Sequence, residues 1–114
     1  KMSRTVIVND ENVENEVLNS ENPVLVELWE EWCGPCRALA TVIEEIAEEY
    51  GENLKVGKIN VDENPGTPSA FEIRSIPTLI IFKDGAVVDR VVGALPKNNI
   101  TELIDSAVEF KKTA

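Results

Sequence analysis

The stretch Val24–Arg37, VLVELWEEWCGPCR, constrains the fold more than any other part of the chain. Its first residues, Val24–Trp29, follow Pro23 and are apolar except for Glu27. A short apolar run of this kind reads as a strand buried on both faces, as in a sheet covered by helices. From Gly34 to Tyr50 the period changes. Leu39, Val42, Ile43, Ile46, Ala47 and Tyr50 recur at three- and four-residue steps, which marks an amphipathic helix, and Gly51 is placed to end it. The strand thus hands over to the helix across Cys33-Gly34-Pro35-Cys36.

The remaining segments fit around this unit. Arg4–Val8 is β-branched and reads as a strand. Glu11–Asn19 carries Val13, Val17 and Leu18 on one face and reads as a short helix. Leu54–Val61 reads as another strand, and the loop after it has room for a helical turn around Pro68–Phe71. Thr78–Phe82 and Ala86–Val92 read as strands joined through Asp84-Gly85, a strong hairpin signal. Ile100, Leu103, Ile104, Ala107 and Val108 define a last helix, for which Asn99 and Glu102 are placed as a capping box. The predicted fold is α/β: one central mixed five-stranded sheet flanked by four helices, in a single domain over 1–114.

Composition narrows the function. The 114 residues carry a net charge of −10, which argues against binding nucleic acid or anionic membranes through charge. Glu44, Glu45, Glu48 and Glu49 read as the wet face of the long helix. No apolar run approaches the roughly 20 residues that span a bilayer, and none reads as a secretion signal. Lys1 before Met2 reads as a leftover residue or as the cut start of a chain. Asn99-Ile100-Thr101 matches a glycosylation sequon but reads more simply as a helix start. There are two cysteines and no histidine. That removes Cys-His and Ser-His nucleophile pairs, and two thiols alone cannot complete a structural zinc site. The cysteine chemistry left is redox.

Cys33 falls at or next to a helix N-terminus, where unpaired N–H groups and the helix dipole stabilise an anion. A thiolate there has a lowered pKa. Gly34 and Pro35 suit a first helical turn, where proline forfeits no needed donor. Cys36 lies one turn on, near enough to close a disulfide. An inert pair, or half a metal site, fits this strand-to-helix setting less well.

The chain resembles the thioredoxin family. EWCGPCR looks like its active-site motif. KINVDENPGTPSAFEIRSIPTLIIFKDG is similar to its following strand, loop, proline and hairpin, and VVGALPKNNITELID to its last strand and helix. The resemblance implies a thioredoxin fold and a protein-disulfide reductase. Its substrates would be disulfide-containing proteins, and its electron donor a thioredoxin reductase. It further implies a cytoplasmic protein, expected to be a monomer, with no metal and no cofactor beyond the Cys33/Cys36 couple. Cys33 would attack the substrate disulfide and Cys36 would resolve the mixed disulfide. Glu27 stands where the family has a buried acid, usually aspartate. A raised pKa would let it take the Cys36 proton, with Lys58 as its partner. Ile76-Pro77 resembles the family's cis-proline, and the Ile76 backbone would pair with an extended substrate. Trp32, Gly34, Pro35, Ile76, Pro77, Val92, Gly93 and Ala94 would form the docking surface. For Val92, plain core packing is an equal expectation. Trp29 would pack beneath the site.

The chain departs from the common pattern at Glu27, at Glu30 for alanine, at Arg37 for lysine, at Thr41 for a helix-kinking proline, and at Val13 for phenylalanine. A divergent, reconstructed or redesigned member is implied, with a straighter active-site helix. The competing readings are a binding or scaffold module with poor redox turnover, and an oxidase or isomerase. The Gly-Pro dipeptide between the thiols favours the reductase.

Overall fold

The structure, a computed structural model, describes residues 3–108, so Lys1 and Met2 lie outside the described residues. Its centre is a five-stranded sheet in the order β1-β3-β2-β4-β5. The strands are β1 (Val6–Ile7), β2 (Val24–Trp29), β3 (Lys55–Asn60), β4 (Thr78–Lys83) and β5 (Ala86–Val92). β3 pairs in parallel with β1 and β2, whereas β4 runs antiparallel to β2 and β5 antiparallel to β4. The helices are a five-residue π-wound helix (Glu14–Leu18), α1 (Gly34–Tyr50), α2 (Gly66–Ala70) and α3 (Lys97–Ala107). A mixed five-stranded sheet with four helices is what the sequence predicts.

Strand alternation splits the core into two layers. Leu25, Val56, Leu79 and Ile81 point to one face, where Leu39, Ile43, Ile46 and Ala47 of α1 and Ile100 and Ile104 of α3 cover them. Val24, Val26, Leu28, Ile59, Ile80 and Phe82 point to the other, under Val17 of the π-wound helix, with Val13, Phe71 and Ile73 packed against them. β2 is the shared wall, and Val24 through Leu28 are all buried.

Local chemistry explains where elements start and stop. The first strand and helix are shorter than their patterns predict. Asn9 Oδ1 accepts from the backbone N–H of Glu11 and Asn12 at 2.9 and 2.7 Å, and this Asx turn takes the place of a first helical turn. The helix then closes with a wide bond from Asn19 N–H to Glu14 O at 2.8 Å. α1 runs uninterrupted from Gly34 to Tyr50, as expected with Thr41 in place of a proline, and Gly51 ends it at φ 54°. α3 corrects an expectation: it begins at Lys97, directly after Pro96, and no side chain caps it. Asn99 and Glu102 therefore do not form a capping box; Asn99 already lies inside the helix, and Val108 lies just past its end.

Two features fix the segment between β3 and β4. Asp10 accepts from the backbone N–H groups of Gly66 and Thr67 and from the Thr67 hydroxyl, at 3.0, 2.8 and 2.7 Å. The carboxylate thus caps α2 from a distant part of the chain, and these bonds hold its pKa below the usual value. The hairpin turn has Asp84 at φ 52° and Gly85 at φ 79°, the paired left-handed geometry of a tight two-residue turn. A Cβ on Gly85 would stand 2.8 Å from the Leu18 carbonyl oxygen. Gly85→Ala should therefore lower stability by roughly 1–3 kcal/mol, read from the urea midpoint at unchanged slope. A midpoint equal to the parent's would show that the turn tolerates a side chain.

Candidate active site

Cys33 occupies the N-cap of α1 in an extended conformation. Its Sγ accepts from the backbone N–H of Cys36 at 3.1 Å, one of the donors that an α-helix leaves unpaired at its start. Pro35 sits in the first turn, where its missing N–H costs no bond. The two sulfurs are joined in a disulfide with their Cα atoms 5.2 Å apart. Cys36, one turn into the helix, is the more buried cysteine. In the oxidised protein both are sheltered, at 7% and 4% exposure for Cys33 and Cys36.

Beneath α1, Glu27 is only 1% exposed. It shares a strand face with Leu25, so it points into the α1 layer of the core and not outward. Among the described residues no protein donor reaches either carboxylate oxygen within hydrogen-bonding distance. Lys58 is its cross-strand neighbour on β3, and Lys58 Nζ lies 3.9 Å from Glu27 Oε1. The same ammonium stands 5.9 Å from the centroid of the half-buried Trp29 ring. Burial drives the Glu27 pKa up to about 7, against the pull of Lys58 and with a smaller push from Glu44. The acid therefore titrates near neutrality.

Ile76-Pro77 is a cis bond, with Pro77 buried and Ile76 half-buried. Just beyond it the buried Thr78 hydroxyl donates to Ser75 O at 2.6 Å and pins the turn. Gly93, at φ 96°, donates its N–H to Pro77 O at 2.8 Å, which joins the end of β5 to the cis-proline loop. A Cβ on Gly93 would meet nothing within 4 Å, so the space in front of this backbone is open. Trp32 is 83% exposed, and Gly34, Pro35 and Ala94 are also exposed. Val92 corrects the core-packing alternative: β5 is an edge strand, and Val92 is 57% exposed.

Two participants were missed in the sequence. Asp10 caps α2 in trans from 56 positions away, a spacing that no local pattern reveals. Glu44, read only as wet helix surface, is half-buried, and its carboxylate accepts from the Ser3 and Thr5 hydroxyls at 2.5 and 3.0 Å. The available signal was its four-residue stepping from Cys36 through Ala40.

A redox-active cysteine pair at a helix tip, with a buried acid under the same helix and a cis-proline leading into β4, is the set of features of a thiol-disulfide oxidoreductase. Comparison with known proteins places it more closely. The Thioredoxin family model matches residues 4–106. The chain is 53% identical to Thioredoxin 1 of Synechococcus elongatus over 104 residues, covering 91% of this chain and 97% of that protein. It is 52% identical to Thioredoxin of Acidithiobacillus ferridurans over 99 residues, covering 87% and 92%. It is 44% identical to Thioredoxin of Haemophilus influenzae over 107 residues, covering 94% and 100%. The chain belongs to the thioredoxin family, and its activity is that of a protein-disulfide reductase. Among the described residues no helix is long and apolar enough to cross a membrane, and no group of three metal-ligating side chains occurs.

The elevated Glu27 pKa has a consequence for stability. The unfolded chain releases this proton near pH 4.5, whereas the folded protein holds it to about 7. Folding is thus favoured less and less as pH rises between those values, and the loss is complete above the folded pKa. From about pH 4.5 to about pH 8, Glu27→Gln should gain roughly 3 kcal/mol on the parent in urea unfolding of the disulfide form. A gap that stays constant across that range would show that Glu27 is charged throughout.

Proposed function

We propose that Cys33 is the attacking sulfur, Cys36 the resolving sulfur, and Glu27 the proton acceptor for Cys36. The observation that carries this reading is the placement of Cys33 as the cap of α1, bonded to Cys36, with an acid that accepts no hydrogen bond buried under the same helix. In the reduced protein the Cys33 thiolate attacks one sulfur of a substrate disulfide. A Cys33–substrate bond forms, and the other substrate sulfur leaves as a thiolate. Glu27 takes the Cys36 proton, and the Cys36 thiolate then attacks Cys33 Sγ. The Cys33–Cys36 bond closes, the second substrate sulfur leaves and is protonated, and two electrons have passed to the substrate. Lys58 steadies the Glu27 carboxylate before it takes the proton, since its ammonium lies 3.9 Å from Glu27 Oε1.

Trp32, Gly34, Pro35, Ile76, Pro77, Val92, Gly93 and Ala94 form the surface on which a substrate chain lies. Support comes from the exposure of Trp32, Gly34, Pro35, Val92 and Ala94 and from the open backbone at Gly93. Such a shallow, mostly apolar face suits flexible disulfide-bearing proteins of varied sequence. A thioredoxin reductase returns the electrons, and the two thiols carry them with no further cofactor. The protein works as a single-domain cytoplasmic monomer. Its net charge of −10 favours protein partners over nucleic acid or anionic lipid.

Insulin reduction with dithiothreitol as electron source tests the assignment. Cys33→Ser should abolish acceleration over the reductant alone, and Cys36→Ser should accumulate a covalent mixed disulfide. Full turnover by Cys36→Ser would rule out the two-thiol mechanism. Glu27→Asp, which restores the family's shorter acid, should reduce insulin faster. The gain should stay below the roughly hundredfold that total loss of a general base costs. An unchanged rate and pH profile would remove Glu27 from the proton relay.

A further inference from the structure

α2 spans only five residues. A helical turn of that length fixes several residues for few internal bonds, so it persists only with support from outside. Its own sequence offers none: Pro65 stands at the N-cap, and no side chain there caps the helix. Asp10 supplies the missing acceptor for the Gly66 and Thr67 N–H groups, at 3.0 and 2.8 Å. Asp10 is itself fixed, since its own N–H donates to Asn64 Oδ1 at 3.0 Å. At the other end Phe71 closes the helix, and its carbonyl accepts from Arg90 Nη1 at 2.8 Å. An anion at the first turn and a cation at the last are the two signs that a helix dipole favours.

Arg90 lies on β5, opposite Ile80 of β4. Just past the end of the same strand, Gly93 donates to Pro77 O at 2.8 Å. The loop from Phe71 to Pro77 is therefore tied to one strand at both of its ends. Between these ties the chain bends back on α2: Glu72 takes a φ of 57°, and Ile73 N–H donates to Pro68 O at 2.8 Å. The Phe71 ring stands edge-on to Phe82 of β4 with centroids 5.3 Å apart, and Ile73 and Ile76 pack against the same core layer. Among the described residues, hydrogen bonds link residues 66–77 to distant parts of the chain only at Asp10, Arg90 and Gly93.

We propose that Arg90 and Asp10 are positioning residues for substrate docking: from the two ends of α2 they hold the loop that presents the Ile76 backbone. The role rests on the reading of Ile76 as the backbone against which an extended substrate lies. Such a backbone pairs with a substrate strand only while it is held in register, and a loop that must be ordered at the moment of binding weakens docking. The hydrogen bonds of both side chains go to α2 and not to the cysteines. Bond making and breaking at Cys33 and Cys36 therefore proceeds without them, and their loss falls on KM, not on kcat.

Arg90→Met keeps the aliphatic stem and removes the donor. In Michaelis kinetics of insulin reduction it should raise KM roughly three- to tenfold at unchanged kcat. Asp10→Asn, which takes the charge and an acceptor from the other end of α2, should act in the same direction. Arg90→Lys, which keeps a charged donor, should recover part of the loss. Reduction of a small aromatic disulfide, too short to lie along the loop, should keep the parent's rate in all three. Amide exchange of residues 72–76 in the oxidised protein reads the loop itself, and it should quicken in Arg90→Met while the β2 amides keep their rates. Unchanged exchange in the loop would overturn the proposal and leave the reading of Ile76 standing. Faster exchange with an unmoved KM would reject both, because the loop that Arg90 holds would not be what the substrate lies on. Equal losses with insulin and with the small disulfide would reduce the effect to general damage and sink the docking role.

Discussion

Both faces of β2 are packed, and that exclusion of water governs the rest of the molecule. Val24, Val26 and Leu28 fill one layer of the core, while Leu25 and Glu27 fill the other. A strand in such a position normally carries no charge, because a desolvated carboxylate costs several kcal/mol unless it is paired or protonated. Glu27 answers by sharing its proton close to neutrality, with Lys58 at 3.9 Å as a partial counterweight. The core here is less stable than an all-apolar one would be, and the difference is held at the buried acid under α1.

The same strand delivers α1. Trp29 ends β2, a short turn follows, and Cys33 becomes the first group over the helix axis. Its sulfur thereby sits against a backbone donor and the positive end of a seventeen-residue helix dipole. The cis-proline loop is tied to β5 through Gly93, pinned by Thr78, and follows a helix that Asp10 caps. The sulfurs and the cis-proline loop are thus held by different parts of the chain, joined by one sheet. The helix tip, the cis-proline loop and the buried acid are built on separate elements.

Much of this was legible before any coordinates. β2 and α1 match their patterns residue for residue, because a buried strand and a long amphipathic helix have unmistakable periods. The Asp84-Gly85 turn and the depth of Glu27 were equally readable. What failed were the places where a short polar side chain competes with the backbone. Asn9 turned the first helical residues into an Asx turn, and Pro96 started α3 before Asn99 could cap it. Asp10 and Glu44 act across 56 and about 40 positions of chain, so only the fold brings them to their partners. The cis bond was legible through family resemblance alone, since an Ile-Pro pair by itself favours trans.

The account stands on a sulfur anion held ready at the tip of α1, and the ionisation of Cys33 in the reduced protein tests it most directly. The pH dependence of alkylation by iodoacetamide, read by mass at Cys33, reports that ionisation. A midpoint at least ~1 unit below the ~8.5 of a free thiol is the predicted result. A midpoint at or above that value, with Cys33 no more reactive than an ordinary thiol at neutral pH, would contradict it.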